Sequence, residues 1–95
     1  MSITAYHFWS PTCAPCKTIK PSIDELKEEF DVNWVSVNTQ EDKEGYATKY
    51  GVRVVPTIVV VVHDQVDVSI ESHVGTSIIG YYRILRNAVK KLSSM

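Results

Sequence analysis

Apolar and polar positions along this chain switch between two periods, and the switches mark its elements. Ile3 to Phe8 is a nearly continuous run of β-branched, aromatic and apolar residues without a turn former, although it contains Tyr6 and His7. That pattern predicts a strand covered on both faces. Trp9 to Thr12 is a short loop punctuated by Pro11. From about Ala14 to Phe30 the period lengthens. Ile19, Ile23, Leu26 and Phe30 step by four, three and four, one face of a helix, while Glu25, Lys27, Glu28 and Glu29 fall mostly on the other side. Pro21 lies inside this helix, where its missing N–H removes one backbone hydrogen bond and predicts a kink.

Val32 to Val37, with Trp34 and Val35 in it, predicts a second strand. The polar stretch Thr39 to Glu44 leads into a short helix over roughly Asp42 to Lys49, with Tyr46, Ala47 and Tyr50 turned inward and Gly51 placed to end it. The charges from Glu41 to Glu44 read as a solvated loop. Val52 to Val55 runs up to Pro56, and Thr57 to Val62 is the most strand-like run in the chain; its unbroken valines predict burial on both faces. After a turn at His63 to Gln65, Val66, Val68 and Ile70 alternate with Asp67, Ser69 and Glu71, which predicts a half-exposed edge strand reaching Val74. Gly75 breaks it, and Thr76 or Ser77 can cap a last helix whose face is Ile78, Tyr82, Leu85, Val89 and Leu92.

The order β-α-β-α-β-β-α predicts an α/β fold. The first two strands should be parallel with a right-handed crossover and the last two antiparallel, in one four-stranded mixed sheet with helices on both faces. Ninety-five residues predict a single domain spanning 1–95, with one modest core. A net charge of −1 gives no broad pull toward nucleic acid or an anionic membrane. The longest apolar run, Ile58 to Val62, is far short of the ~20 residues that span a bilayer. The opening Met1-Ser2-Ile3-Thr4 carries no basic start before an apolar block, so the setting is read as intracellular, reducing and cytoplasmic.

The two cysteines, Cys13 and Cys16, stand at the junction of the first strand and the first helix. Cys-x-x-Cys at such a junction reads as a thiol–disulfide redox pair. The free N–H groups and positive dipole end of a helix favour an anion there, which makes the first cysteine easier to ionise, and thiolate is the attacking form. The competing reading, half a zinc site completed by His7, His63 and His73, needs a quite different fold.

Several further pieces occur in one order along nearly the whole chain: Phe8-Trp9, Cys13-x-x-Cys16-Lys17, Pro21, Lys49-Tyr50-Gly51-Val52-Arg53, Val55-Pro56-Thr57 and Val74-Gly75. Together they resemble the thioredoxin family. The resemblance implies a minimal thioredoxin fold and reduction of protein disulfides, with Cys13 attacking, Cys16 resolving and the pair cycling through a Cys13–Cys16 disulfide. It also implies a cis Pro56 facing the cysteines, backbone at Val55 that pairs with extended substrate, and a docking groove lined by Trp9 and Gly75. The implied partners are disulfide-containing proteins and an electron donor, either a thioredoxin-reductase-like enzyme or glutathione. No cofactor or metal is called for, and a monomer is expected.

The departures are informative. The family's N-terminal strand and helix have no counterpart before Ile3. His7 stands where the family has a buried Asp, and is a candidate proton acceptor for Cys16; a protonated His7 would instead favour the Cys13 thiolate. Ser36 stands at the family's strand lysine, Thr12 precedes the first cysteine where Trp is usual, and Ala14-Pro15 replaces Gly-Pro. Two other functions fit the residues: a glutaredoxin-like, glutathione-dependent reductase, which Val74-Gly75-Thr76-Ser77 argues against because it lacks the paired glycines and Asp, and a non-catalytic binding module.

Overall fold

The computed structural model describes residues 2–93. Its elements follow the predicted order: β1 (Ser2–Trp9), α1 (Ala14–Glu29), β2 (Asn33–Asn38), α2 (Tyr46–Lys49), β3 (Thr57–His63), β4 (Val68–Val74) and α3 (Ile78–Ser93). The sheet order is β2-β1-β3-β4. β1 runs parallel to β2 with His7 opposite Ser36, and antiparallel to β3 with His7 opposite Ile58. β3 and β4 are antiparallel.

Side-chain alternation divides the core between the two faces of the sheet. On one face Ile3, Ala5, Ile58 and Val60 meet Ile19, Ile23 and Leu26 of α1 and Leu85 of α3. On the other, Phe8, Val37, Val59 and Val61 meet Tyr46, Ala47 and Tyr50 of the α2 region. Thr57 to Val62 is buried throughout, as a central strand covered on both faces must be. α1 runs through the exposed Pro21 without interruption.

Three sequence readings are corrected. The inward face of α3 is Tyr81, Ile84, Leu85 and Ala88, with Ile78 and Leu92 at its margin, so Tyr82 and Val89 lie outside it. Tyr82 turns its ring edge-on to Phe30 at 5.3 Å. On β4 the apolar side is the uncovered one: Val68, Ile70 and Val74 are exposed, and Val66 precedes the strand, 93% exposed. Ile70 lies opposite Val61, hence on the α2 face of the sheet. α2 is a single turn lying over Tyr6, so it does not reach the β4 edge.

The third correction concerns the charged loop. Asp42 is a cap: its carboxylate accepts the backbone N–H of Tyr46 at 3.0 Å and of Ala47 at 2.8 Å. Gly45, at the N-cap itself, has no side chain to do this. At the other end Gly51 has φ +66° and Val52 N–H bonds the Ala47 carbonyl, the left-handed closure that favours glycine. Asp42→Ala should therefore lower the unfolding free energy by about 1 kcal/mol, read by urea titration; an unchanged midpoint and slope would show that the cap contributes nothing.

Candidate active site

Pro11-Thr12 turns the chain from β1 into α1. Cys13 N–H bonds the Ser10 carbonyl at 3.1 Å, and the Ser10 hydroxyl accepts Thr12 N–H at 3.2 Å. The loop after β2 holds this turn from the side, with Thr39 N–H on the Trp9 carbonyl at 2.9 Å and the Gln40 side-chain amide donating to Thr12 Oγ1 at 3.1 Å. Cys13 then takes the N-cap position in extended backbone, with Pro15 inside the first turn, where a missing N–H costs nothing.

Cys13 and Cys16 are joined by a disulfide, with Cα atoms 5.3 Å apart. Cys16 N–H points at Cys13 Sγ from 3.1 Å. Sulfur thus occupies the place of an N-cap oxygen, and a negative sulfur there gains a charge-assisted hydrogen bond and the helix dipole. The first turn of α1 carries no acidic residue to oppose that charge. Cys13 is partly exposed while Cys16 is 5% exposed, which suits an attacking sulfur in front of a shielded one.

Opposite Cys13 stands the turn into β3. The Val55–Pro56 bond is cis, and the Val55 carbonyl oxygen is 3.7 Å from Cys13 Sγ. The Thr57 hydroxyl donates to the Val54 carbonyl at 2.6 Å, and Gly75 N–H donates to the Pro56 carbonyl at 3.0 Å. Gly75 has φ +111°, a conformation a β-carbon disfavours. Val55, Pro56 and Gly75 are thus gathered at the Cys13 end of the sheet.

Trp9 and His7 belong to the other flank, that of Cys16. With Cys16, Ser36, Lys20 and Lys27 they line a cavity of about 310 Å³. The Trp9 indole N–H donates to Ser36 Oγ at 2.8 Å, so the residue at the family's lysine position orients the tryptophan. His7 is 6% exposed, and among the described residues neither of its ring nitrogens has a hydrogen-bond partner. Burial, then the nearby Lys27 and Lys20 against the opposing Asp24, lowers its pKa from 6.5 to about 4. In this oxidised form burial therefore favours the neutral imidazole of His7.

Tyr81 was not among the sequence candidates. It is 0% exposed, and its hydroxyl donates to the Pro56 carbonyl at 3.1 Å and to the Gly75 carbonyl. Burial raises its pKa to about 12, so it keeps its proton across the working range. The signal that points to it is its neighbour Gly80. A glycine inside a helix costs about 1 kcal/mol relative to alanine and calls for a packing reason. Here a methyl group at Gly80 would overlap the His73 ring, which stands edge-on to Tyr81 at 5.0 Å.

An α/β sheet that seats a Cys-x-x-Cys disulfide at a helix N-terminus, against a cis-proline turn, defines a class of dithiol–disulfide proteins. The family model described as Thioredoxin matches residues 3–81, and the chain belongs to that family. Thioredoxin of Pyropia yezoensis is 38% identical over 55 residues, which is 56% of this chain and 50% of that protein. Chloroplastic thioredoxin M5 of Oryza sativa is 45% identical over 53 residues, 54% of this chain and 30% of that one. The chain thus spans half or less of the length of these two relatives. Among solved structures, Schistosoma mansoni thioredoxin has 28% identity and a TM-score of 0.75, covering 90% of this chain and 76% of that one. Among the described residues, no helix is long and apolar enough to cross a membrane.

Proposed function

We propose that this chain is a thiol–disulfide oxidoreductase that reduces protein disulfides through Cys13 and Cys16. The observation that carries the reading is the position of Cys13 Sγ, held by Cys16 N–H at 3.1 Å and set against the Val55 carbonyl at 3.7 Å. In the reduced form the Cys13 thiolate attacks one sulfur of a substrate disulfide; a mixed disulfide forms and the other substrate sulfur leaves as thiolate, to be protonated. Cys16 then loses its proton and attacks Cys13 Sγ. The second substrate thiol departs and the Cys13–Cys16 disulfide remains, two electrons having passed to the substrate. An extended substrate segment pairs with the Val55 backbone beside Pro56 and Gly75, as an added strand does. A thioredoxin-reductase-like enzyme or glutathione restores the dithiol, in a reducing, cytoplasmic setting.

In this reading His7 accepts the Cys16 proton. It lines the same cavity as Cys16, and in its neutral form one ring nitrogen carries an acceptor lone pair that no described group claims. His7→Ala should slow the release of trapped substrate and alter its pH profile; a resolution step unchanged in both respects removes His7 from the reaction.

Trapping tests the reading as a whole. Cys16→Ser, reduced and mixed with a disulfide-bearing protein, should stall as a mixed disulfide at Cys13 that dithiothreitol reverses. Failure to trap any such protein, with Cys13 free to alkylate, would mean the pair is idle and the chain a binding module. Wild-type turnover that needs glutathione and ignores a thioredoxin reductase would select the glutaredoxin-like alternative.

A further inference from the structure

We propose that the Tyr81 hydroxyl is a positioning group for protein substrates, tying the Pro56 turn to the Gly75 turn so that the backbone beside Cys13 is presented as one docking edge. The inference rests on the oxidoreductase reading above and concerns how that site holds its substrate.

The two turns come from distant parts of the chain. One joins α2 to β3; the other joins β4 to α3. A single backbone bond, from Gly75 N–H to the Pro56 carbonyl, links them directly. Tyr81 reaches both from below, its one hydroxyl proton shared between the Pro56 and Gly75 carbonyls. Its ring is packed among core side chains of the sheet and of α1 and α3, so the hydroxyl is carried by α3 as a fixed point. The His73 ring touches the Tyr81 ring from the side and makes no bond to its hydroxyl.

A buried hydroxyl needs a partner, and one carbonyl would satisfy it. This one spans two carbonyls on separate turns, both within the region facing Cys13. An extended polypeptide laid along that region pairs with backbone whose spacing the two turns set together. A small disulfide reaches Cys13 without touching them. Tyr81 therefore affects large substrates and spares small ones.

Tyr81→Phe keeps the ring and removes the tie. The probes are insulin as the protein disulfide and 5,5′-dithiobis(2-nitrobenzoate) as the small one, each with dithiothreitol-reduced protein. The expected result is a KM for insulin raised about five- to tenfold, the size of one lost hydrogen bond, with the rate on the small disulfide unchanged. His73→Ala, which removes the ring contact and leaves the hydroxyl, should change the insulin KM less than twofold. Equal losses on both probes, no loss on either, or an equal rise from His73→Ala would overturn the proposal while leaving the oxidoreductase reading in place. A wild-type chain that reduces neither probe overturns that reading and this inference with it. Should Tyr81→Phe fail to fold, hydrogen exchange of the wild-type protein decides. The readout is the Tyr81 hydroxyl proton itself, because the Gly75 amide already bonds the Pro56 carbonyl without it. A hydroxyl proton resolved by NMR and protected from solvent supports the tie, and one that exchanges like a free phenol refutes it.

Discussion

Cys13→Ser leaves disulfide reduction at the uncatalysed rate, a fall of at least roughly a thousandfold, while the protein stays folded. Serine at this position is a favoured N-cap, so its hydroxyl takes over the Cys16 N–H that Cys13 Sγ now holds at 3.1 Å. α1 keeps its start, and the loss reports chemistry and not unfolding. The variant retains Cys16, but that thiol is 5% exposed and set behind the N-cap, so it cannot stand in as the attacking group. The measurement is insulin reduction beside a urea titration of the reduced proteins. Residual activity near that of the wild type would show that Cys13 is not the nucleophile.

Between pH 7 and pH 4 His7 should remove roughly 3 kcal/mol of stability from the oxidised protein. Its pKa in the fold is about 4, against 6.5 when free. In that interval the unfolded chain takes up a proton that the folded chain refuses, so unfolding gains and stability falls as pH falls. The contribution is complete above 6.5, declines through the interval and levels off below 4. His7→Phe keeps a ring of similar size in the cavity and cannot titrate, so its stability curve should be flatter by that amount. Carboxylates also titrate toward pH 4, but they are common to both proteins and cancel in the difference. Parallel curves for wild type and variant would mean that water or a proton reaches His7 freely in the folded state.

The sheet and α1 could be read from sequence because their signals do not compete. Ile19, Ile23, Leu26 and Phe30 form a single stripe against a charged remainder, and the valine run of β3 has no polar residue to suggest an open face. α3 lacks this clarity. Ile78, Ile79, Tyr81, Tyr82, Ile84, Leu85, Ala88 and Val89 surround much of the helix, so two stripes satisfy the same period. The one that packs includes Gly80 and Ala88, whose small side chains carry little weight in a hydrophobic pattern but let α3 lie close to the sheet. β4 shows a related limit. A period of two says that Val68 and Ile70 share a side; whether that side is covered depends on the length of α2, a single turn.

At the site, the cysteine pair was legible because its local sequence carries the chemistry. The cis bond at Pro56 was reached only through the family resemblance, since cis X-Pro is a minority form that no local pattern marks. Asp42 was hidden in a run of charges and reveals itself only by bonding Tyr46 and Ala47 four and five residues on. The position of His7 on a covered strand was readable, but its lack of any partner was not, since that depends on what Cys16, Ser36 and the α1 lysines leave around it. Tyr81 required the meeting of two turns far apart in sequence, which no local pattern records.

In the proposed reaction the first turn of α1 is anchored on an atom whose charge changes from one stage to the next. When Cys13 is a thiolate, the Cys16 amide has its strongest acceptor; when that sulfur is bonded to a substrate, the acceptor is neutral and the anchor weakens. The backbone carrying Cys16 is therefore most loosely held at the stage when its own sulfur has to swing toward Cys13. A substitution that stiffens residues 14–16 should therefore slow the second half of the proposed cycle more than the first.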